Sequence, residues 1–198
     1  MSELEKVMES FGNLGLKNKG TGAGGAKTNE NGKEFEKITS IEEHLEKNNF
    51  KKVKFGLGTS HYYYISEDNA ITYFTQQGLK KMYKEFNIWR YPDEAYMITK
   101  NGTTVLKILE KKNQNAEGSV DEKLQCGEFR KREYHEMFKG TIDKVELAFC
   151  LSEWFYKRIN NNEDKWNFLK SELKKNNIPV FCGSSETYIQ ELMEWVNA

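Results

Sequence analysis

The chain is poor in the residues that staple small extracellular folds. Among its 198 residues there are two prolines, three cysteines and three histidines. Cys126, Cys150 and Cys182 lie far apart and form no CxxC pair. An odd, scattered set argues against a disulfide framework and against a structural zinc site, and predicts reduced, mostly buried thiols. His44, His61 and His135 are equally scattered, so no histidine-built metal centre is expected. No apolar run approaches the ~20 residues that a membrane span needs. The opening MSELEKVMES carries no apolar signal-peptide core. The expectation is a cytoplasmic protein without a membrane partner. An excess of one charge is also missing: 30 basic residues balance 30 acidic ones. That excludes a wholly basic surface, so any face for nucleic acid must be built locally. Residues 77–90 and 100–114 each hold four basic residues against one acidic residue.

What is present is enough for one domain with a full core. Hydrophobic residues make up 37 % and aromatic ones 13 %, too apolar for wholesale disorder. Residues 1–11 read as a short amphipathic helix. Residues 12–32 are rich in Gly, Asn, Lys and Thr and read as mobile. The expected organisation is an N-terminal helix and Gly-rich segment over 1–31, then a single domain over 32–198. Within that domain the periodicity predicts a helical stretch over 32–48, broken near Thr39, and strands over 50–57, 61–66 and 70–74. A helix over 75–87 follows, then a hairpin around Asn101-Gly102 and a helix over 120–138. A strand over 143–151, a helix over 162–176, a strand over 178–182 and a closing helix over 186–196 complete the chain. This is the pattern of an α/β fold, a central mixed β-sheet flanked by helices.

The hairpin carries the chemistry. Asn-Gly suits a type I′ turn, which needs positive φ at both positions. If these two residues form the loop, Lys100 faces Thr103, and continuing that register sets Asp93 opposite Glu110. Opposed side chains on one face have Cβ atoms about 4.5–5.5 Å apart. Two carboxylates so close repel unless a cation lies between them. Hard oxygen ligands suit Mg²⁺, with Mn²⁺ able to substitute. Period-two alternation then puts Leu106, Ile108, Glu110, Lys112 and Gln114 on one face, and Glu94 on the other face against Leu109. An exposed hairpin with an ordinary ion pair is the plainer alternative.

Pro92-Asp93, sixteen intervening residues and then Glu110-Lys111-Lys112 resembles the signature of the PD-(D/E)XK nucleases. The segment GTGAGGAKTNENGKEFE, residues 20–36, is similar to the opening of several restriction-type members of that superfamily, ending in a helix that carries Glu36. Gln114 fits the extended ExKxQ form. The matching parts cover roughly residues 20–140; the tail matches no subfamily. The resemblance implies the restriction-endonuclease-like fold and a Mg²⁺-dependent phosphodiesterase. Asp93 and Glu110 would hold the metal, and Glu36 would complete its shell or hold a second ion. Lys112 would orient or deprotonate the attacking water, and Gln114 would position Lys112 or touch the backbone.

Gly20, Gly22 and Gly25 spell GxGxxG, but no strand precedes them and no GK[ST] exists, so no nucleotide cofactor is expected. A loop closing over DNA fits that segment better. Lys27, Thr28, Asn29 and Asn31 are candidate phosphate contacts there, with Lys111, Ser119, Arg130 and Arg132 further along. The expected partner is double-stranded DNA, cut at a short site by a homodimer, as in a type II restriction endonuclease. Two alternatives stay open: a structure-specific repair or junction nuclease of the same fold, and a non-catalytic DNA-binding module.

Overall fold

The computed structural model describes residues 25–115 and 120–198, with side chains described from residue 32 onward except those of 116–121. Residues 1–34 and 35–198 are separate compact units, and the larger one carries the whole sheet. The expected helix over 1–11 and the site residue Ser119 lie outside the described residues.

Helix α1 spans Gly25–Ile38 and α2 spans Glu42–Lys47. Strands β1 (Lys51–Lys54), β2 (Tyr62–Ile65) and β3 (Ile71–Thr75) lead into α3 (Gln76–Met82). The hairpin β4 (Glu94–Lys100) and β5 (Thr103–Lys112) is followed by α4 (Val120–Gln125), α5 (Gly127–Met137) and β6 (Lys144–Leu151). Helices α6 (Glu153–Ile159) and α7 (Asp164–Lys175), strand β7 (Val180–Cys182) and α8 (Tyr188–Asn197) end the chain. The seven strands lie in chain order in one sheet. β1 to β5 form an antiparallel meander, whereas β6 and β7 join in parallel through helical crossovers. This is an α/β fold with a mixed sheet flanked by helices.

The two sheet faces have separate cores. One holds Ala95, Met97, Leu106, Ile108, Leu147 and Phe149 against Leu124, Tyr134, Phe138 and Phe155 of the helices after β5. The other holds Tyr96, Ile98, Leu109, Ala148 and Cys150 against Phe35, Ile41 and Leu45 of the first helices and Tyr188, Leu192 and Val196 of α8. The alternation read from the sequence is thus the alternation between two packed layers.

Several expectations need correcting. The segment Lys27, Thr28, Asn29, Asn31, read as a loop, is helical, because α1 begins at Gly25. Its Gly and Asn content opposes a helix, but each residue added to a formed turn gains a hydrogen bond. The helix expected over 120–138 breaks at Cys126 into two. Helix α6 was not anticipated: Trp154, Phe155 and Tyr156 read as core, and Phe155 is buried while its two neighbours are partly so. Only one thiol is buried. Burial pushes Cys150 up to about 12, whereas Cys126 is exposed and Cys182 half-buried.

β7 is short because Pro179, just before it, offers no N–H for further pairing. β6 therefore pairs with β7 only over Phe149–Leu151. A cavity of about 800 Å³ opens beside the earlier part of β6, lined among others by Lys131, Lys144, Lys170 and Lys174.

Gly183, just past β7, is tightly packed among side chains. A Cβ there would stand 2.7 Å from Thr39 Cγ2, 2.8 Å from Cys150 Sγ and 2.9 Å from Phe35 Cζ. Three side chains, two from α1 and the turn that ends it and one from β6, cannot all yield, so Gly183→Ala is expected to destabilise the fold by about 1–3 kcal/mol. Urea unfolding measures this; a midpoint equal to that of the parent would contradict it.

Candidate active site at the end of the hairpin

Asn101 and Gly102 adopt φ of 52° and 78°, as a type I′ turn demands. Lys100 pairs with Thr103, and the register runs unbroken to Glu94 opposite Leu109. Asp93 precedes the first ladder residue. Its Oδ2 accepts a hydrogen bond from the Lys111 backbone N–H at 2.6 Å, which anchors its side chain to β5. The register therefore delivers Asp93 beside Glu110.

The cation that the two carboxylates require is supplied by the chain itself. Lys112 Nζ lies 3.3 Å from Asp93 Oδ2 and 2.8 Å from Glu110 Oε2. It also donates to the Lys111 carbonyl at 2.9 Å, so all three of its donors are engaged. Asp93 and Lys112 keep side-chain exposures of 17 % and 13 %, open enough to meet a substrate. Burial raises Asp93 above the usual aspartate range; the Lys112 ammonium opposes this and the Glu110 carboxylate reinforces it.

Glu110 has further partners that the sequence did not suggest. Arg130 Nη1, from α5, donates to Glu110 Oε2 at 2.8 Å, and Tyr134 Oη donates to Oε1 at 3.4 Å. Arg130 and Tyr134 are four residues apart and so share one face of α5. That spacing was the available signal, but nothing in it names the acid they serve. Arg130 is buried; its guanidinium holds a carboxylate instead of reaching out to a phosphate, which corrects the expected DNA contact. Arg132 is exposed and lies 3.5 Å from Glu128.

Lys111 is a second correction. Alternation turns it to the opposite face, where its side chain is 2 % exposed and Nζ meets Glu94 Oε1 at 2.6 Å. It also donates to the Thr39 carbonyl at 3.0 Å and the Glu36 carbonyl at 3.3 Å. An ammonium at the carbonyl end of α1 is favourable for the helix dipole. Tyr96 Oη donates to Glu94 Oε2 at 3.0 Å. A fully engaged Lys111 is a structural clamp that ties the end of α1 to β5.

The structure brings Asp93, Glu110 and Lys112 together. It does not join Glu36 to them as a third metal-binding acid: Glu36 is exposed, and its carbonyl faces Lys111. No group of three or more His, Cys, Asp or Glu able to hold a metal exists among the described residues. Gln114 lies beyond the end of β5, with its backbone N–H and carbonyl both bonded to Ser152 Oγ, at 3.1 and 2.7 Å. The side chains of Lys27, Thr28, Asn29 and Asn31 are outside the described set.

The donor set fits a divalent cation of the hard, water-keeping kind. Two carboxylates already converge on one positive charge, and Mg²⁺ commonly takes one or two carboxylates and fills its shell with water and substrate oxygens.

No family model matches the chain, and no curated protein matches it. Among solved structures it is similar to an XisH family protein from Nostoc punctiforme, at 12 % identity over 75 % of this chain and 90 % of that one, with a TM-score of 0.36. A likeness of that degree leaves the chemistry to the geometry above.

Two stability measurements check the site. Lys111→Met leaves Glu94 charged and buried without its ammonium, and is expected to cost about 3–5 kcal/mol; a loss under ~1 kcal/mol in urea unfolding would refute the clamp. A carboxyl whose folded pKa is raised holds its proton more tightly in the folded state. Stability therefore falls as pH rises from the usual aspartate range through the raised value. Asp93→Asn removes that slope, so in EDTA this variant should melt above the parent at pH 7 and lose the advantage in acid.

Proposed function

We propose that this chain is a Mg²⁺-dependent endonuclease that hydrolyses phosphodiester bonds of double-stranded DNA, cutting at a short site in the manner of a type II restriction enzyme. The observation that carries the reading is the Lys112 ammonium set between Asp93 and Glu110 at the open end of the hairpin. A phosphodiester is an anion, and attack on it adds charge that must be neutralised.

Asp93 and Glu110 would hold the metal, which when bound supplies positive charge to the phosphate and acidifies water. Arg130 and Tyr134 hold the Glu110 carboxylate in one orientation, which lowers the cost of organising the site. The Lys111 N–H does the same for Asp93. Lys112 can turn an N–H to a phosphate oxygen or to the attacking water only by giving up one of its three present acceptors. The Lys111 carbonyl or either carboxylate is the acceptor it can release for that contact. Two copies of the chain would address the two equivalent strands of a palindrome.

The test is incubation with plasmid DNA and Mg²⁺ or Mn²⁺, with EDTA as control. Discrete fragments are expected. Smearing or cutting confined to junctions would favour a structure-specific nuclease, and a gel shift without cutting would favour a binding module. Lys112→Ala should lower the cleavage rate at least ~100-fold while leaving DNA affinity within a few-fold. Undiminished cleavage by that variant would remove the lysine from the mechanism.

A further inference from the structure

Large apolar side chains stand exposed at the same end of the sheet as the candidate site. The register places them there. Lys54 pairs with Tyr62, Phe74 with Ala95, and Thr75 with Glu94, so the β1–β2 loop and the residues preceding β4 share one edge with Asp93. Leu57, at the tip of that loop, is fully exposed, and Trp89, four residues before Asp93, is 54 % exposed.

The β1–β2 loop is built to project. Gly56 and Gly58 flank Leu57 with φ of 153° and 75°, conformations that side-chain-bearing residues avoid. Its base is held by the Phe55 N–H to the His61 carbonyl at 3.2 Å and by the Phe55 ring 5.3 Å from Tyr63. The run Phe55–His61, FGLGTSH, contains no Lys, Arg, Asp or Glu, so the tip offers a phosphate no charged group. Charge lies instead on α3, where Lys80 and Lys81 make no ion pair among the described residues, and Lys80 stands 5.6 Å from the Tyr91 ring. Basic groups beside projecting apolar ones are the makings of a surface that holds a backbone and touches bases.

β2 is three strand spacings from β5, roughly 14 Å across the sheet, and four residues of chain separate Trp89 from Asp93, a span of at most about 14 Å; about four base steps of ~3.4 Å cover either distance.

We propose that Leu57 and Trp89 contact nucleobases, Leu57 as a wedge that opens a base step of the duplex and Trp89 as a platform on which a base stacks. This rests on the nuclease reading and extends it: the substrate is duplex DNA deformed beside the cut. Specificity then depends in part on how easily a sequence unstacks, and flexible pyrimidine–purine steps are favoured.

The experiment uses the full chain in EDTA with a mixed-sequence duplex carrying 2-aminopurine at several positions, and the same strand alone as a second probe. Binding of the duplex should raise the 2-aminopurine emission. Leu57→Ala should cut that rise at least about threefold, with a smaller change in affinity, because backbone contacts supply most of the binding. Tryptophan emission should be quenched on binding, and Trp89→Leu should lose most of the quench. Leu57 touches no core, so a thermal melt equal to that of the parent certifies its variant. Signals unchanged in both variants would overturn the proposal while leaving the nuclease reading intact. A wedge signal with no Mg²⁺-dependent cleavage would keep the proposal and overturn catalysis. Emission that rises only with the single strand would overturn the wedge, and failure of the parent to bind either probe would overturn both readings.

Discussion

One ammonium between two carboxylates is the constraint around which the active end of this protein is arranged. Asp93, just ahead of β4, and Glu110, on β5, would repel each other if left alone. Lys112 offsets that repulsion from two residues further along the same strand face as Glu110. The rest of the molecule fixes the three groups. The hairpin turn sets the register, the Lys111 N–H anchors Asp93, and α5 brings Arg130 and Tyr134 to Glu110. Burial is the main reason Asp93 is raised, with the Glu110 carboxylate adding to it and the Lys112 ammonium opposing it.

Alternation doubles the arrangement. Asp93 and Glu94 are neighbours in the chain, as are Lys111 and Lys112, and each neighbour turns to the opposite face. Two carboxylate–lysine pairings therefore stand back to back across one sheet. The half-open one has the accessibility of a site. The sealed one, Lys111 with Glu94, binds the end of α1 through the carbonyls of Glu36 and Thr39. Substitution of either lysine therefore has a distinct consequence, although the two are adjacent.

Much of this was legible in the sequence. Asn101-Gly102 names its own turn, a turn fixes a register, and a register fixes which acids meet. The selection of Asp93 over Glu94 needed nothing more. The strands were found because alternation survives wherever one face is packed differently from the other. What could not be read depends on contacts distant in sequence. Arg130 looks like a phosphate contact until α5 folds over Glu110, and Lys111 looks exposed until α1 covers it. Residues 153–159 were missed because a seven-residue helix is too short to show a period. Gln114 was placed by extending alternation past the point where β5 ends.

The two rims of the sheet share a feature with a consequence for assembly. The first strand is Lys51-Lys52-Val53-Lys54, and the part of β6 left uncovered by the short β7 is ringed by Lys131, Lys144, Lys170 and Lys174. An unpaired strand is an invitation to another chain, and lysines are a common way to refuse it. Desolvating those long charged side chains makes edge-to-edge pairing of two such sheets unfavourable.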